Sequence, residues 1–62
     1  MRVVYHGHEW ELHGTMTVLE ALKETGLDAL DLLVIRKGRN LTHEELLYED
    51  DRVDCIDFVA GG

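Results

Sequence analysis

Basic residues are scarce in this chain. Six Lys and Arg stand against thirteen Asp and Glu, for a formal net charge of −7. A phosphate backbone is bound through clustered Lys and Arg, so this balance argues against a nucleic-acid ligand. It favours solubility and a basic protein partner. Cysteine is nearly absent too. The single thiol, Cys55, excludes an internal disulfide, a four-cysteine zinc site and a cysteine-ligated iron–sulfur cluster. One unpaired thiol fits a reducing setting, and the expected location is cytoplasmic. No run of about 18 apolar residues occurs, so no membrane span is expected. The opening Met1-Arg-Val-Val-Tyr turns polar by His6 and lacks the apolar segment of a signal peptide. Proline and serine are missing altogether, and neither absence excludes a fold or an activity.

What remains is 62 residues, 45% of them hydrophobic. That suffices for one small core with little surplus. It leaves no room for a deep pocket enclosed on all sides. The expectation is therefore not an enzyme with its own substrate cavity. Chemistry, if any, belongs at the surface, at a terminus or in a partner's pocket.

The first thirteen residues predict a hairpin. Arg2 to His6 and Glu9 to His13 flank Gly7-His8, and Gly at the first central position suits a type II′ turn. That register pairs His6 with Glu9, Tyr5 with Trp10, Val4 with Glu11 and Val3 with Leu12. Val3, Tyr5, Trp10 and Leu12 then form an apolar face opposite a mostly polar one, the alternation of a sheet covered on one side. A helix of about eight residues comes next, too short to persist unless packed on the sheet. Thr17 and Glu20 form its capping box, and Gly26 supplies a left-handed stop. Val18, Ala21, Leu22 and Thr25 share one face, with Leu19 beside it.

Leu32-Leu33-Val34-Ile35 is a continuous apolar run, read as a central strand buried on both faces. Lys37-Gly38-Arg39 is a turn and Asn40-Leu41 a short partner strand. Thr42 to Glu45 predicts one helical turn, with Leu46 and Leu47 folding back on the core. Glu49-Asp50-Asp51 is an acidic turn, and Arg52 to Val59 the last strand. Pattern alone gives an α+β two-layer domain.

The end of the chain carries the sharpest signal. Two glycines in the last two positions have a chance probability of about 0.5% at average glycine usage. Lacking side chains, Gly61 and Gly62 let a terminal carboxylate thread a narrow channel in extended form. A carboxylate is a poor electrophile until coupling to AMP removes its charge and supplies a leaving group. A frayed terminus is the plain alternative.

Thr17-Val18 opening the helix, Leu22 within it, Val34-Ile35 before the second hairpin, Asp51-Arg-Val before the last strand and the closing Phe58-Val59-Ala60-Gly61-Gly62 together resemble the ubiquitin-like sulfur-carrier family. The likeness runs over the whole chain. It is nearest to the thiamine-biosynthesis type and next to the small subunit of molybdopterin synthase. The Lys37-Gly38-Arg39 hairpin and the pair Asp54 and Asp57 depart from the pattern. The resemblance implies a β-grasp: a mixed sheet of four to five strands with one main helix on one face, and first and last strands parallel in the middle. Residues 1–59 would be the domain and 60–62 a flexible diglycine tail. It implies that a separate ATP-dependent enzyme adenylates Gly62, with Gly61 as slender stem. A sulfur donor such as a cysteine desulfurase would then supply the sulfur of a terminal thiocarboxylate, and a synthase would accept it. The chain itself would hold no cofactor and no catalytic residue. A molybdopterin or tRNA-thiolation carrier, a modifier conjugated to lysines, and a non-covalent β-grasp binding module stay open as alternatives.

The last strand is apolar on both faces. With Val53 and Cys55 toward the helix, Ile56 and Phe58 fall on the open face and, with Ala60, make a partner-binding patch flanked by Asp54 and Asp57. The alternative is that a bulge turns Ile56 inward. Cys55 has no basic neighbour in sequence to stabilise a thiolate and reads as a core thiol. His6, His8 and His13 gather on the hairpin beside Glu9 and Glu11, either as a solvated face or as a weak zinc or nickel site. No metal is assigned. Arg36, Lys37 and Arg39 form the one basic patch, read as a solvated hairpin or as a salt-bridge partner surface.

Overall fold

In the computed structural model, which describes residues 1–58, the chain opens with β1 (Arg2–Tyr5) and β2 (His8–Glu11). The turn between them is centred on His6 and Gly7, with φ of 47° and 81°. Two positive φ values make a type I′ turn, whose twist matches the strands it joins. Histidine is among the few residues that accept this conformation at modest cost. The hairpin is thus registered Val3 to Trp10 and Tyr5 to His8, two residues away from the pairing predicted with a Gly7-His8 turn. Side chains repeat every two residues along a strand, so a two-residue slide keeps the faces. Tyr5, Trp10 and Leu12 still pack against the core, and Val3 is wholly buried. Leu12 donates to the Met1 carbonyl at 2.9 Å and extends the ladder.

A two-residue strand, β3 (Met16–Thr17), leads into α1 (Val18–Thr25). The local chemistry of the helix is as the sequence predicts. The Glu20 amide donates to Thr17 Oγ1 at 3.1 Å, and the Thr17 amide donates to Glu20 Oε1 at 2.9 Å. Gly26 closes the helix at φ 82°. Val18, Ala21 and Leu22 are its buried face. A short 3₁₀ turn (Ala29–Asp31), capped by Asp28, then delivers β4 (Leu32–Arg36). A second type I′ turn at Lys37-Gly38 connects it to β5 (Arg39–Leu41).

Thr42 to Glu45 is a single turn and not the expected helical one. The Glu45 carboxylate takes the Thr42 amide at 2.7 Å, and the Glu45 amide donates back to the Thr42 carbonyl at 3.2 Å. The carbonyls of His43 and Glu45 are spent on the first amides of α1, from Leu19 and Val18. The chain then enters β6 (Leu46–Leu47), which pairs antiparallel with β3 as a separate two-stranded sheet. Leu47 reaches the core while Leu46 stays exposed. The last strand is β7 (Arg52–Asp57).

The main sheet has the order β2-β1-β7-β4-β5, with β1 and β7 parallel and the other neighbours antiparallel. The molecule is an α+β domain in which one helix packs on a mixed five-stranded sheet. The core joins Met1, Val3, Val18, Ala21, Leu22, Leu32, Val34, Leu41, Leu47, Val53 and Cys55. On β4 only Leu32 and Val34 are buried; Leu33 and Ile35 are half-buried on the other face. The prediction of a strand buried on both faces is corrected by this, because α1 covers one face of the sheet alone. No helix among the described residues is long and apolar enough to cross a membrane. The expectations placed on Val59, Ala60, Gly61 and Gly62 lie outside the described residues.

Leu22 is 1% exposed at the centre of the helix–sheet contact. Leu22→Ala is expected to lower the unfolding free energy by about 2–5 kcal/mol through lost burial and the cavity left behind. Urea unfolding followed by Trp10 fluorescence measures it. A change below about 0.5 kcal/mol, the range of surface substitutions, would mean that this face of α1 is not the core face.

Candidate functional site

Alternation along β7 sends Val53 and Cys55 to the core and leaves Arg52, Asp54 and Ile56 on the opposite face. Ile56 is 49% exposed, and Phe58, one residue past the strand, is 51% exposed. No bulge turns Ile56 inward. Paired residues share a face, so the register assembles the neighbours of Ile56. Leu33 lies across from Ile56, and Ile35 and Val4 lie across from Asp54 on either side. The result is an apolar strip of Leu33, Ile35 and Ile56 on the uncovered face, leading toward Phe58, with Val4 set apart from Ile35 by Asp54 between them. Sequence reasoning finds Ile56 and Phe58 but misses the other three. Their signal is present in the apolar run at Leu33 and Ile35, which the pattern assigns to the interior.

Charges rim the strip. Arg2 Nε lies 3.3 Å from Glu9 and 3.8 Å from Glu11, and Arg52 lies 3.5 Å from Asp54. These pairs are exposed and contribute little stability, since water screens them. Their effect is to keep the β1–β2 margin polar, while Asp54 brings a charge between Val4 and Ile35.

Asp54 and Asp57 do not flank the patch together. They are three residues apart in a strand of period two, so they face opposite ways. Asp54 stays beside Ile56. Asp57 turns to the helix side of the sheet, where Tyr5 donates its hydroxyl to Oδ1 at 2.7 Å and His6 Nε2 lies 2.6 Å from Oδ2. The hydrogen bond from Tyr5, followed by that from His6, holds the Asp57 carboxyl below the ordinary aspartate range. The same bond pushes the Tyr5 phenol above its ordinary value.

The three hairpin histidines are not brought together. His6 is spent on Asp57. His13, beyond the far end of β2, sets Nδ1 2.9 Å from Glu49 Oε1, while the Gly14 amide donates to the other oxygen of Glu49. His8 tilts against the Trp10 ring at a centroid separation of 6.1 Å. No group of three or more metal-ligating side chains occurs among the described residues. Two residues of the basic patch are committed in the same way. Arg36 donates to the Asp51 carboxylate at 3.0 Å and to the Leu46 carbonyl at 3.1 Å, and Arg39 donates to Glu45 at 2.9 Å. Asp51 also accepts the Tyr48 amide, which is the main reason its carboxyl lies below the usual value. Arg36 and Arg39 therefore lock the second hairpin to the loops beside it.

Cys55 lies in the core. Burial, aided by the charge of Asp54, pushes its thiol up to about 11. It is protonated and covered at neutral pH, which matches the reading of a core thiol.

Compared with models of known protein families the chain matches none. It likewise matches none of the curated proteins.

The Cys55 shift has a defined pH signature. The folded-state value is raised, so this contribution to stability is whole below the ordinary thiol range near 9 and is lost as pH rises toward about 11. Urea midpoints are expected to fall over that window in the native chain and to fall less in Cys55→Ala. At pH 8, iodoacetamide is expected to label Cys55 only as fast as the domain unfolds. Rapid labelling without urea would place the thiol at the surface.

Proposed function

We propose that the chain is a sulfur carrier whose C-terminal carboxyl, on Gly62, is the reacting group. The single observation that carries this reading is the apolar strip on the uncovered sheet face, which runs to the end of β7 at Phe58. In sequence, Val59-Ala60-Gly61-Gly62 comes after it. A sticky surface beside a slender, side-chain-free end is what a protein needs to seat its own terminus in another protein. The strand order, with β1 and β7 parallel at the centre and one helix between β2 and β4, supports a β-grasp.

In this reading the Gly62 carboxylate attacks the α-phosphate of ATP in a separate activating enzyme and releases pyrophosphate. The terminal sulfur of a donor persulfide, such as that of a cysteine desulfurase, attacks the acyl carbon, and AMP leaves. A thiolate then attacks the sulfur–sulfur bond. The thiocarboxylate is released, and the donor side keeps a disulfide that an external thiol reduces. A sulfur-accepting synthase consumes the thiocarboxylate, most simply in thiazole formation for thiamine. The carrier contributes no catalytic side chain and acts in the reducing cytoplasm. Val4, Leu33, Ile35, Ile56 and Phe58 dock it, with Ala60 continuing the patch in sequence.

Removal of Gly62 is expected to abolish ATP–pyrophosphate exchange with the cognate activating enzyme and to leave the urea midpoint unchanged. Undiminished exchange would refute the mechanism. Intact mass after reaction separates the carrier from a modifier, since a carrier exchanges one oxygen for sulfur and a modifier appears as an adduct on lysines of other proteins.

Phe58 is already half-covered, so docking buries only its remainder. That is worth about 0.8–1.5 kcal/mol, half of a full Phe burial. Phe58→Ala is expected to weaken binding to the activating enzyme roughly four- to tenfold, with unfolding free energy lowered by only about 0.8–1.5 kcal/mol for the half already covered, well short of the loss at a core Phe. Collapse of stability with unchanged binding by the folded fraction would place Phe58 in the core and the docking face elsewhere.

A further inference from the structure

The last strand ends between two anchors. On the β4 side, the Phe58 amide donates to the Asp31 carbonyl at 2.8 Å. On the β1 side, both oxygens of Asp57 are taken, Oδ1 by Tyr5 and Oδ2 by His6. These partners stand 52 and 51 residues away in sequence. Tyr5 closes β1, and His6 is the first central residue of the turn after it. Their rings meet edge to face at 4.3 Å, so each holds the other in place.

The choice of residue at position 6 is informative. Its φ of 47° favours Gly or Asn on conformation alone. Histidine meets the same backbone need and also reaches Asp57 with a ring nitrogen, which the shorter residues do not. Tyr5 is likewise the side chain on β1 that carries a hydroxyl to this point. His6 and Asp57 are substantially exposed while Tyr5 is half-buried against the core, so the bonds among their polar ends add little to global stability in water. Their consequence is local: a strand end that would otherwise fray is held from both sides.

We infer that Asp57 is a positioning residue, clasped by Tyr5 and His6 so that the chain leaves the sheet at Phe58 in one direction, at the end of the apolar strip. Ordering this exit before docking removes part of the ordering cost that binding would otherwise carry. The enzymatic consequence rests on the proposed role of Gly62; the clasp stands without it.

The test uses the full chain with Tyr5→Phe, Asp57→Ala, Asp57→Asn and His6→Asn, the last chosen because Asn tolerates the left-handed backbone. Amide hydrogen exchange is read by NMR. Tyr5→Phe and Asp57→Ala are expected to speed exchange at the Phe58 amide by about fivefold or more while the Val53 and Cys55 amides stay unchanged, as for local opening. His6→Asn is expected to act in the same direction. Asp57→Asn, which keeps an oxygen for the Tyr5 hydroxyl, should recover part of the protection. In ATP–pyrophosphate exchange the same variants should raise KM about three- to tenfold at unchanged kcat. Unchanged Phe58 exchange in both Tyr5→Phe and Asp57→Ala overturns the clasp. Faster Phe58 exchange with unchanged KM overturns the positioning role. If the native chain is not adenylated at all, the sulfur-carrier reading and the enzymatic role fall together, and amide exchange still decides the clasp.

Discussion

Parallel pairing of the first strand with the last is the contact on which the rest of the molecule depends. Val3 and Val53 meet in register at its centre, and both are fully buried. With β1 and β7 side by side, the hairpin partner β2 must lie outside β1, and β4 must lie outside β7. The segment from β2 to β4 then has to cross the sheet, and α1 is that crossing. Two parallel strands also finish at the same end. That places the His6-Gly7 turn beside Asp57 and puts the exit of the chain in the middle of the sheet and not at a corner.

The second constraint is area. An eight-residue helix is about 12 Å long, whereas five strands at about 4.8 Å spacing span roughly 19 Å. The described residues hold one such helix, and it lies on one face of the sheet. Among the described elements the other face is left uncovered. Charged residues soften it at the β1–β2 end, through Arg2, Glu9 and Glu11. β4 itself adds no charge there: Leu33 stands across from Ile56, and Ile35 across from Asp54. The bare apolar area is concentrated near the end of β7, and that concentration supports a docking surface over a merely unfinished core.

Legibility tracks the range of the interaction. The helix is readable to the residue because its limits are set within four positions, by Thr17 with Glu20 and by Gly26. The first hairpin is readable in its faces but not its register. Gly7-His8 and His6-Gly7 both suit two-residue turns, and the choice rests on His6 accepting a positive φ. β3 and β6 have two residues each, too few to show a period. Leu33 and Ile35 read as interior because an apolar run looks alike whether its second face meets a helix or awaits a partner. The Asp57 cluster joins positions more than fifty residues apart, and no local pattern announces it.

The described side chains also narrow where chemistry can reside. Cys55, the one thiol, is covered and held protonated. His6 and His13 each lie on a carboxylate. Arg36 and Arg39 are bound to Asp51 and Glu45. These groups are thus engaged in holding loops and strand ends together. Committing these side chains to structure while leaving an apolar strip beside the last strand accords with the proposal that the reacting group lies in the backbone. Under that proposal the carboxyl of Gly62 needs no pocket of its own, because the pocket would belong to the protein that receives it.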